Sequence, residues 1–225
     1  MSTPPGVRER FASARPNELW CTDYKGEFLL GNRQYCYPLT VTDHASRYLL
    51  TCEALSSTRE EYAFTVFERL FKERGLPVNI RSDNGVPFAS AHASFNLSKL
   101  AVWWLRLGIG IERIKPCHPQ QNGRHERMHL TLKKEATKPA AANFLQQQAR
   151  FEKFIEVFNK ERPHEALDMK CPADVYTAST RPPVVAGHRL PFPRQNHRGH
   201  PLRPYLSRSE KDQFQHGLRR AGCRH

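Results

Sequence analysis

Three closely spaced runs of aromatic and β-branched residues constrain the fold of this chain more than any other feature. The runs cover residues 19–28, 34–42 and 47–52, with short turn-forming segments between them. Such runs at hairpin spacing predict three antiparallel strands. Pro38 argues mildly against the centre of the second strand, or for a bulge there, because proline cannot donate a hydrogen bond to a neighbouring strand.

After residue 55 the pattern changes to helices that alternate with short strands. Apolar residues recur at helical spacing from Tyr62 to Phe71, and Gly75 then ends the periodic segment. The pattern continues with a strand at 78–82, a helix at 93–107, a strand at 109–114, a helix from Glu126 to Ala136 and a last helix from Phe144 to Phe158. This order predicts an α/β fold with a mixed five-stranded sheet flanked by helices, in which the first and fourth strands are neighbours.

Three carboxylates occupy positions where this topology can bring them together. Asp23 lies within the first predicted strand, Asp83 ends the fourth, and Glu126 lies in the opening turns of the helix that follows a proline-rich loop. Converging carboxylates repel one another and are tolerated chiefly when divalent cations neutralise them. Mg²⁺ fits, because it binds one or two carboxylates and leaves its other positions to water and phosphate. Taken alone, Glu126 among basic residues is more typical of a solvated helix face with ion pairs, and the two aspartates are what favour a metal site.

Four motifs follow one another along the chain, and their order is specific. They are Trp-Cys-Thr-Asp-Tyr-Lys-Gly at 20–26, Arg-Ser-Asp-Asn-Gly-Val-Pro-Phe at 81–88, His-Pro-Gln-Gln-Asn-Gly-Arg-His-Glu-Arg at 118–127 and Asn-Lys-Glu-Arg-Pro-His-Glu-Ala-Leu at 159–167. Together they resemble the integrase-type catalytic core of bacterial DDE-class insertion-sequence transposases, within the retroviral integrase-like, RNase H-like superfamily. The resemblance runs from about residue 15 to residue 176.

The resemblance implies an RNase H-like fold and a DNA transposase, a polynucleotidyl transferase that nicks transposon ends and joins the freed 3′-hydroxyl to target DNA. It assigns Asp23, Asp83 and Glu126 as the catalytic and metal-binding residues, with two Mg²⁺ or Mn²⁺ ions as cofactors. Two such ions about 4 Å apart can activate an attacking oxygen and stabilise a leaving one. Members usually carry a helix-turn-helix region before the core and a small β-rich domain after it, and neither pattern is recognisable here.

The charge of the chain predicts a polyanionic partner, and the resemblance identifies it as double-stranded DNA, with a homo-oligomer as the active form. The formal net charge is +13, and residues 181–225 contribute +8 of it with ten Lys and Arg against two acids. We therefore expect a flexible lead-in at 1–15, a catalytic core at 16–178 and a disordered basic tail at 179–225. No secretory signal and no apolar run long enough for a membrane span occurs, which predicts a cytoplasmic, nucleoid-associated protein.

Lys133 is the foremost candidate for a contact with the DNA backbone, because it falls on one helix face with Glu126 and His129. Asn84, Asn122 and His129 are further DNA-binding candidates, although Asn84 is first of all a turn residue. Six scattered cysteines without a Cys-x-x-Cys pair indicate buried free thiols and give little support to a zinc site. Two other functions remain open: a hydrolytic RNase H-like nuclease, and an inactive truncated remnant that binds DNA through charge alone.

Overall fold

The computed structural model describes residues 15–83, 85–89, 97–113 and 123–183. Its strands are β1 (Leu19–Tyr24), β2 (Phe28–Leu29), β3 (Tyr35–Asp43), β4 (Leu49–Leu55), β5 (Asn79–Ser82) and β6 (Gly110–Arg113). Its helices are α1 (Glu60–Arg74), α2 (Lys99–Arg106), α3 (Gly123–Ala136), α4 (Phe144–Lys160) and α5 (Pro172–Val175), with a 3₁₀ turn at Glu165–Leu167. Apart from β2, the 3₁₀ turn and α5, the order of elements is the one that the sequence predicts.

The strands form one mixed sheet. Antiparallel pairing joins β1 to β3 and β3 to β4, whereas β1 pairs in parallel with β5, and β5 with β6. The predicted neighbourhood of the first and fourth long strands is therefore confirmed, as β1 beside β5. The first predicted run is interrupted at Gly26, which adopts a φ of 91°. The residues after this break form the short strand β2, a sixth strand that the sequence did not predict.

Pro38 lies within β3, the strand between β1 and β4, and β3 has a bulge or irregularity between Val41 and Thr42 rather than at Pro38 itself. The pairing of β1 with β3 extends as far as Tyr24 opposite Leu39. Just beyond it, the Pro38 carbonyl accepts a hydrogen bond from the Lys25 N–H at 2.9 Å. The missing donor of Pro38 therefore falls where the ladder to β1 ends.

Helices cover both faces of the sheet because side chains alternate between its faces. On one face α1 and α2 pack over an aromatic core that includes Trp20, Trp103 and Trp104. On the other face α3 and α4 cover a second cluster, in which Met128 and Leu132 meet residues of β3 and β4. The active-site candidates lie at the edge of this second layer.

The start of one helix differs from the prediction, and two residues beyond the predicted core end make contacts with the core. Helix α2 begins at Lys99 rather than at 93, because the extended residue Ser98 caps it by accepting a hydrogen bond from the Ala101 N–H. The packed region also continues past the predicted core end at 178: the Ser179 hydroxyl donates to the Leu76 carbonyl at 2.6 Å. Arg181 donates to the carbonyl oxygens of Pro77 and Gly108.

Within the described residues, three cysteines are buried free thiols as expected, namely Cys21, Cys36 and Cys52. The predicted lead-in at 1–15 and most of the predicted tail at 179–225 lie outside the described residues. No helix in the described part of the chain is long and apolar enough to cross a bilayer.

Candidate active site

The parallel pairing of β1 with β5 places the two aspartates at the same level of the sheet. Cys21 is in register with Arg81, and Asp23 and Asp83 each follow two residues later along their strands. Asp83 comes directly after the last residue of β5, at the carboxyl edge where ligands of such sheets bind. Strand pairing therefore brings together the aspartates that the sequence singled out.

The carboxyl group of Asp23 is strongly perturbed. Burial and the charge of Asp83 raise its pKa to about 7; the Tyr24 N–H lowers it, the charge of Glu126 raises it by less, and Lys25 lowers it least. A charge acts on a pKa in this way only over short distances. Asp23 therefore lies within electrostatic range of both other predicted triad residues.

Asp83 is held close to the backbone of the turn that follows it. Burial raises the pKa of Asp83, whereas a hydrogen bond from the Gly85 N–H lowers it. A Cβ atom at Gly85 would lie 2.8 Å from Asp83 Oδ2, so a larger residue here would require the Asp83 carboxylate to shift. Its other oxygen, Oδ1, is buried and has no hydrogen-bond partner among the described residues.

Glu126 lies in the first turn of α3 with an exposed side chain. Exposure leaves its carboxylate at the surface, where a bound nucleic acid and solvent can both reach it. The catalytic and metal-binding roles of Asp23, Asp83 and Glu126 stay predictions. The effect of the Asp83 and Glu126 charges on the pKa of Asp23 supports them.

Two buried histidines of α3 form a hydrogen-bonded cluster with β3. The Thr40 hydroxyl lies 2.8 Å from His125 Nε2 and 2.7 Å from His129 Nε2, and the Thr42 hydroxyl lies 2.9 Å from His125 Nδ1. His129 Nδ1 lies 4.0 Å from Asp23 Oδ2. Burial lowers the pKa of His125 to about 3, and burial with the neighbouring His125 lowers that of His129, so both rings are neutral near pH 7.

His129 is buried, whereas Glu126 and Lys133, which the sequence places on the same face of the helix, are exposed. It is only 7% exposed and bonds to Thr40, so its ring has little open surface for a DNA phosphate. The buried residues of α3 recur at helical spacing. The sequence contains this pattern, which becomes visible when histidine is counted among the residue types that can be buried. These residues are His125, Met128, His129, Leu132 and Ala136.

Two lysines border the carboxylates. Burial and the charge of Lys133 lower the pKa of Lys25, whereas Asp23 raises it, so Lys25 lies near both groups. Lys133 itself is exposed on α3, as its predicted contact with DNA requires. Lys25 was missed as a site residue because it follows β1 in a segment without periodicity. Asn84 and Asn122 lie outside the described residues.

The donor set fits a divalent cation. The charges of Asp83 and Glu126 both act on Asp23, one buried oxygen of Asp83 lacks a partner in the described structure, and histidine nitrogens lie close to Asp23. One ligand atom each of Asp23, His125 and His129 lies within 4.8 Å of the others. Oxygen donors of this kind suit Mg²⁺ and Mn²⁺, and the imidazole nitrogens extend the range toward transition metals.

Comparison with protein families gives two matches, and both family models are described as integrase core domain. They match residues 13–119 and 107–172, which overlap and together cover most of the described chain. This agrees with the resemblance that the four motifs carry.

Two curated relatives show similar sequences. The Gag-Pol polyprotein of avian reticuloendotheliosis virus is 29% identical over 133 residues, which are 59% of this chain and 11% of the polyprotein. The insertion element IS407 uncharacterized 31.7 kDa protein of Burkholderia multivorans is 26% identical over 170 residues, 74% of this chain and 58% of that protein. The chain thus matches less than two thirds of the length of either relative.

Solved structures share the fold. The HTLV-2 integrase catalytic core domain in complex with magnesium matches with a TM-score of 0.56 and 15% identity, over 72% of this chain and 98% of that one. A simian T-cell lymphotropic virus intasome in complex with the PP2A regulatory subunit B56 gamma matches with a TM-score of 0.60 and 18% identity, over 84% and 64%. The mixed sheet flanked by helices is therefore the architecture of these cores.

Proposed function

Because this chain carries the integrase-type catalytic core of the RNase H-like superfamily, we propose that it is the catalytic part of a DNA transposase. In this proposal it nicks DNA at transposon ends and transfers the strand to target DNA by attack of the freed 3′-hydroxyl. The observation that carries the proposal is the convergence of two carboxylates on a third: the charges of Asp83 and Glu126 both raise the pKa of Asp23. The insertion-element relative and the fold of the integrase cores support the same reaction class.

Asp23, Asp83 and Glu126 are the residues that would hold Mg²⁺ or Mn²⁺, in a site for two ions. When bound, such ions activate the attacking oxygen and stabilise the leaving oxygen of a phosphodiester displacement. The protein contributes rigid positions for the carboxylates. The Gly85 N–H bonds to Asp83, and the Thr40 hydroxyl donates to the Asp23 carbonyl oxygen at 3.1 Å. Preorganised ligands of this kind lower the cost of reaching the reactive geometry.

Lys25 and Lys133 would bind the phosphates of the DNA strand that enters the site. Lys25 lies near both Asp23 and Lys133, and a lysine beside a metal–phosphate site can neutralise backbone charge. The basic tail predicted at 179–225 would add affinity that does not depend on sequence. One solved neighbour is an intasome, which supports a homo-oligomer as the active form. The bacterial relative supports a place beside the nucleoid in the cytoplasm.

A hydrolytic nuclease with the same carboxylates is the second candidate, and an inactive remnant that only binds DNA is the third. The nuclease would release cut ends by water attack and would leave no joined product. The remnant would bind DNA without cutting it. The products of one reaction therefore separate the three functions.

The test uses the full chain, Mg²⁺ and a labelled duplex that carries the DNA flanking its coding region, together with an unlabelled target plasmid. We expect nicked ends and labelled strands joined to the plasmid, and both products should disappear with Asp23→Asn. Glu156→Gln is the matched control, because this exposed glutamate of α4 forms only a surface ion pair with Lys160. Cut ends without joined strands would establish the nuclease, and binding without cutting would establish the remnant.

A further inference from the structure

The hydrogen bonds of Thr40 determine where the protons of two buried histidines lie. Its hydroxyl oxygen has three neighbours at bonding distance: the Asp23 carbonyl oxygen at 3.1 Å, His125 Nε2 at 2.8 Å and His129 Nε2 at 2.7 Å. A hydroxyl has one hydrogen to donate and two lone pairs that accept. The carbonyl oxygen can only accept, so it takes the Thr40 hydrogen. Both histidines must then donate their Nε2–H to Thr40.

This assignment leaves Nδ1 of each neutral ring with a lone pair. His125 Nδ1 accepts the hydrogen of the Thr42 hydroxyl at 2.9 Å, so that ring is fully engaged by the two threonines. His129 Nδ1 instead faces Asp23 Oδ2, 4.0 Å away. A lone pair turned toward a carboxylate oxygen is repulsive unless something positive lies between the two atoms.

We propose that His129 Nδ1 is a ligand of the same divalent cation that Asp23 binds, which makes the metal site of this protein a carboxylate–imidazole site. The inference rests on the proposed function, because it presupposes that Asp23 holds a cation. A cation about 2.1 Å from each ligand atom can bridge separations up to about 4.2 Å, and the observed 4.0 Å falls within this limit.

The surroundings of His129 are those of a metal ligand. Ligating histidines donate their second ring N–H to a fixed acceptor, which sets the tautomer and the orientation of the ring. Thr40 is that acceptor, and it is fully buried and also bonded to the Asp23 backbone. His125 and Thr42 hold Thr40 from the other side, so the chain positions the carboxylate and the imidazole through one shared hydroxyl.

A nitrogen ligand changes which metal the site prefers. Mg²⁺ favours oxygen donors, whereas Mn²⁺ and later transition metals also accept imidazole. We therefore expect His129→Asn to lower Mn²⁺ affinity by roughly tenfold or more while Mg²⁺ affinity changes by less than about threefold. Calorimetric titration of the full chain with each ion measures both constants without any reaction taking place. His164→Asn is the matched control, since His164 is a half-buried histidine that packs on Phe158 in the loop after α4.

The tautomer provides a test that needs no substitution. In ¹⁵N-labelled, metal-free protein near pH 7, the nitrogen resonances of His129 should show an unprotonated Nδ1 and a protonated Nε2. A protonated Nδ1 would mean that this atom already donates toward Asp23, and the proposal would then be wrong.

Pulsed electron paramagnetic resonance of bound Mn²⁺ gives the direct test. We expect a nitrogen coupling in the unsubstituted protein that disappears with His129→Asn and persists with His164→Asn. Mn²⁺ that binds and is lost with Asp23→Asn, but shows no nitrogen coupling, would overturn the imidazole ligand and leave the proposed function standing. Absence of any Mn²⁺ or Mg²⁺ binding would overturn both.

Discussion

Thr40 and Asp23 face each other across β3 and β1, and the Thr40 hydroxyl donates a hydrogen bond to the Asp23 carbonyl oxygen at 3.1 Å. The same hydroxyl accepts from two histidines of α3. One buried oxygen therefore connects the strand that carries the candidate carboxylate to the helix that carries Glu126. The position of α3 over the sheet depends on this contact as well as on apolar packing.

The first prediction concerns that hydroxyl. Thr40→Val keeps the shape of the side chain but leaves two buried imidazole N–H groups without an acceptor, at a cost of about 1–3 kcal/mol each. Thr40→Ser keeps the hydroxyl and loses one methyl group, about 1 kcal/mol. Urea unfolding of the two variants should therefore show valine as the more destabilising substitution by about 2 kcal/mol or more. Equal stabilities would mean that the histidines do not depend on Thr40.

The second prediction is a pH dependence of stability. The pKa of Asp23 is raised from 3.8 to about 7, so between these values the folded protein binds a proton that the unfolded chain has released. The contribution of this group is complete below pH 3.8 and is lost as the pH rises through about 7. Asp23→Asn should therefore gain stability over the unsubstituted protein as the pH rises, by up to about 4 kcal/mol.

Urea unfolding of both proteins in EDTA between about pH 4.5 and 8 measures this difference. The buried histidines, whose pKa values are lowered, add stability as the pH rises, but they are common to both proteins and cancel. Divalent cations should shrink the difference, because they favour the ionised carboxylate. A difference that does not change with pH would contradict the raised pKa.

The third prediction separates catalysis from binding. Glu126→Gln should abolish Mg²⁺-dependent cutting, because the exposed carboxylate is proposed to hold a metal ion and not the DNA. DNA affinity should stay almost unchanged, since basic groups supply it. Gel-based cleavage and fluorescence anisotropy measure the two properties on one duplex, with Glu156→Gln as the control. Nicking by the Glu126→Gln protein would rule out the predicted triad.

The fourth prediction concerns the two lysines beside the carboxylates. Replacing Lys25 and Lys133 together by glutamine should weaken DNA binding and reduce the slope of log affinity against log salt by about 2, because each lost phosphate contact removes about 0.9. Lys153→Gln, on the exposed side of α4, is the control and should change neither. An unchanged salt slope in the double variant would place the DNA elsewhere on the surface.

The fifth prediction concerns the basic tail. The truncated chain should end at Pro183. Ending it at Thr180 would remove Arg181, which donates hydrogen bonds to two carbonyl oxygens of the core. The shortened chain should keep its fold, bind DNA more weakly at low salt and show a flatter salt dependence on two unrelated duplexes. Identical salt slopes for the two lengths, or a strong preference for one duplex, would show that the tail acts differently.

Much of the fold could be predicted from the sequence because its signals are local. Hairpin spacing identified β1, β3 and β4, and the alternation of helices and strands placed β5 beside β1. The start of α2 and the docking of Arg181 could not be predicted in this way. The acceptors of Arg181 are carbonyl groups of Pro77 and Gly108, which only the folded chain brings within reach.

The sequence by itself determined that Asp23 and Asp83 belong to neighbouring strands. Strand periodicity places Asp23 within the first strand, and a turn places Asp83 at the end of the fourth. Only the tertiary structure decided the role of His125 and His129. Histidine fits a solvated helix face as well as a buried one, so the periodicity of α3 admits both faces. Packing of α3 over the hydroxyls of β3 selected the face that carries the histidines, since those hydroxyls satisfy the imidazole nitrogens in the interior.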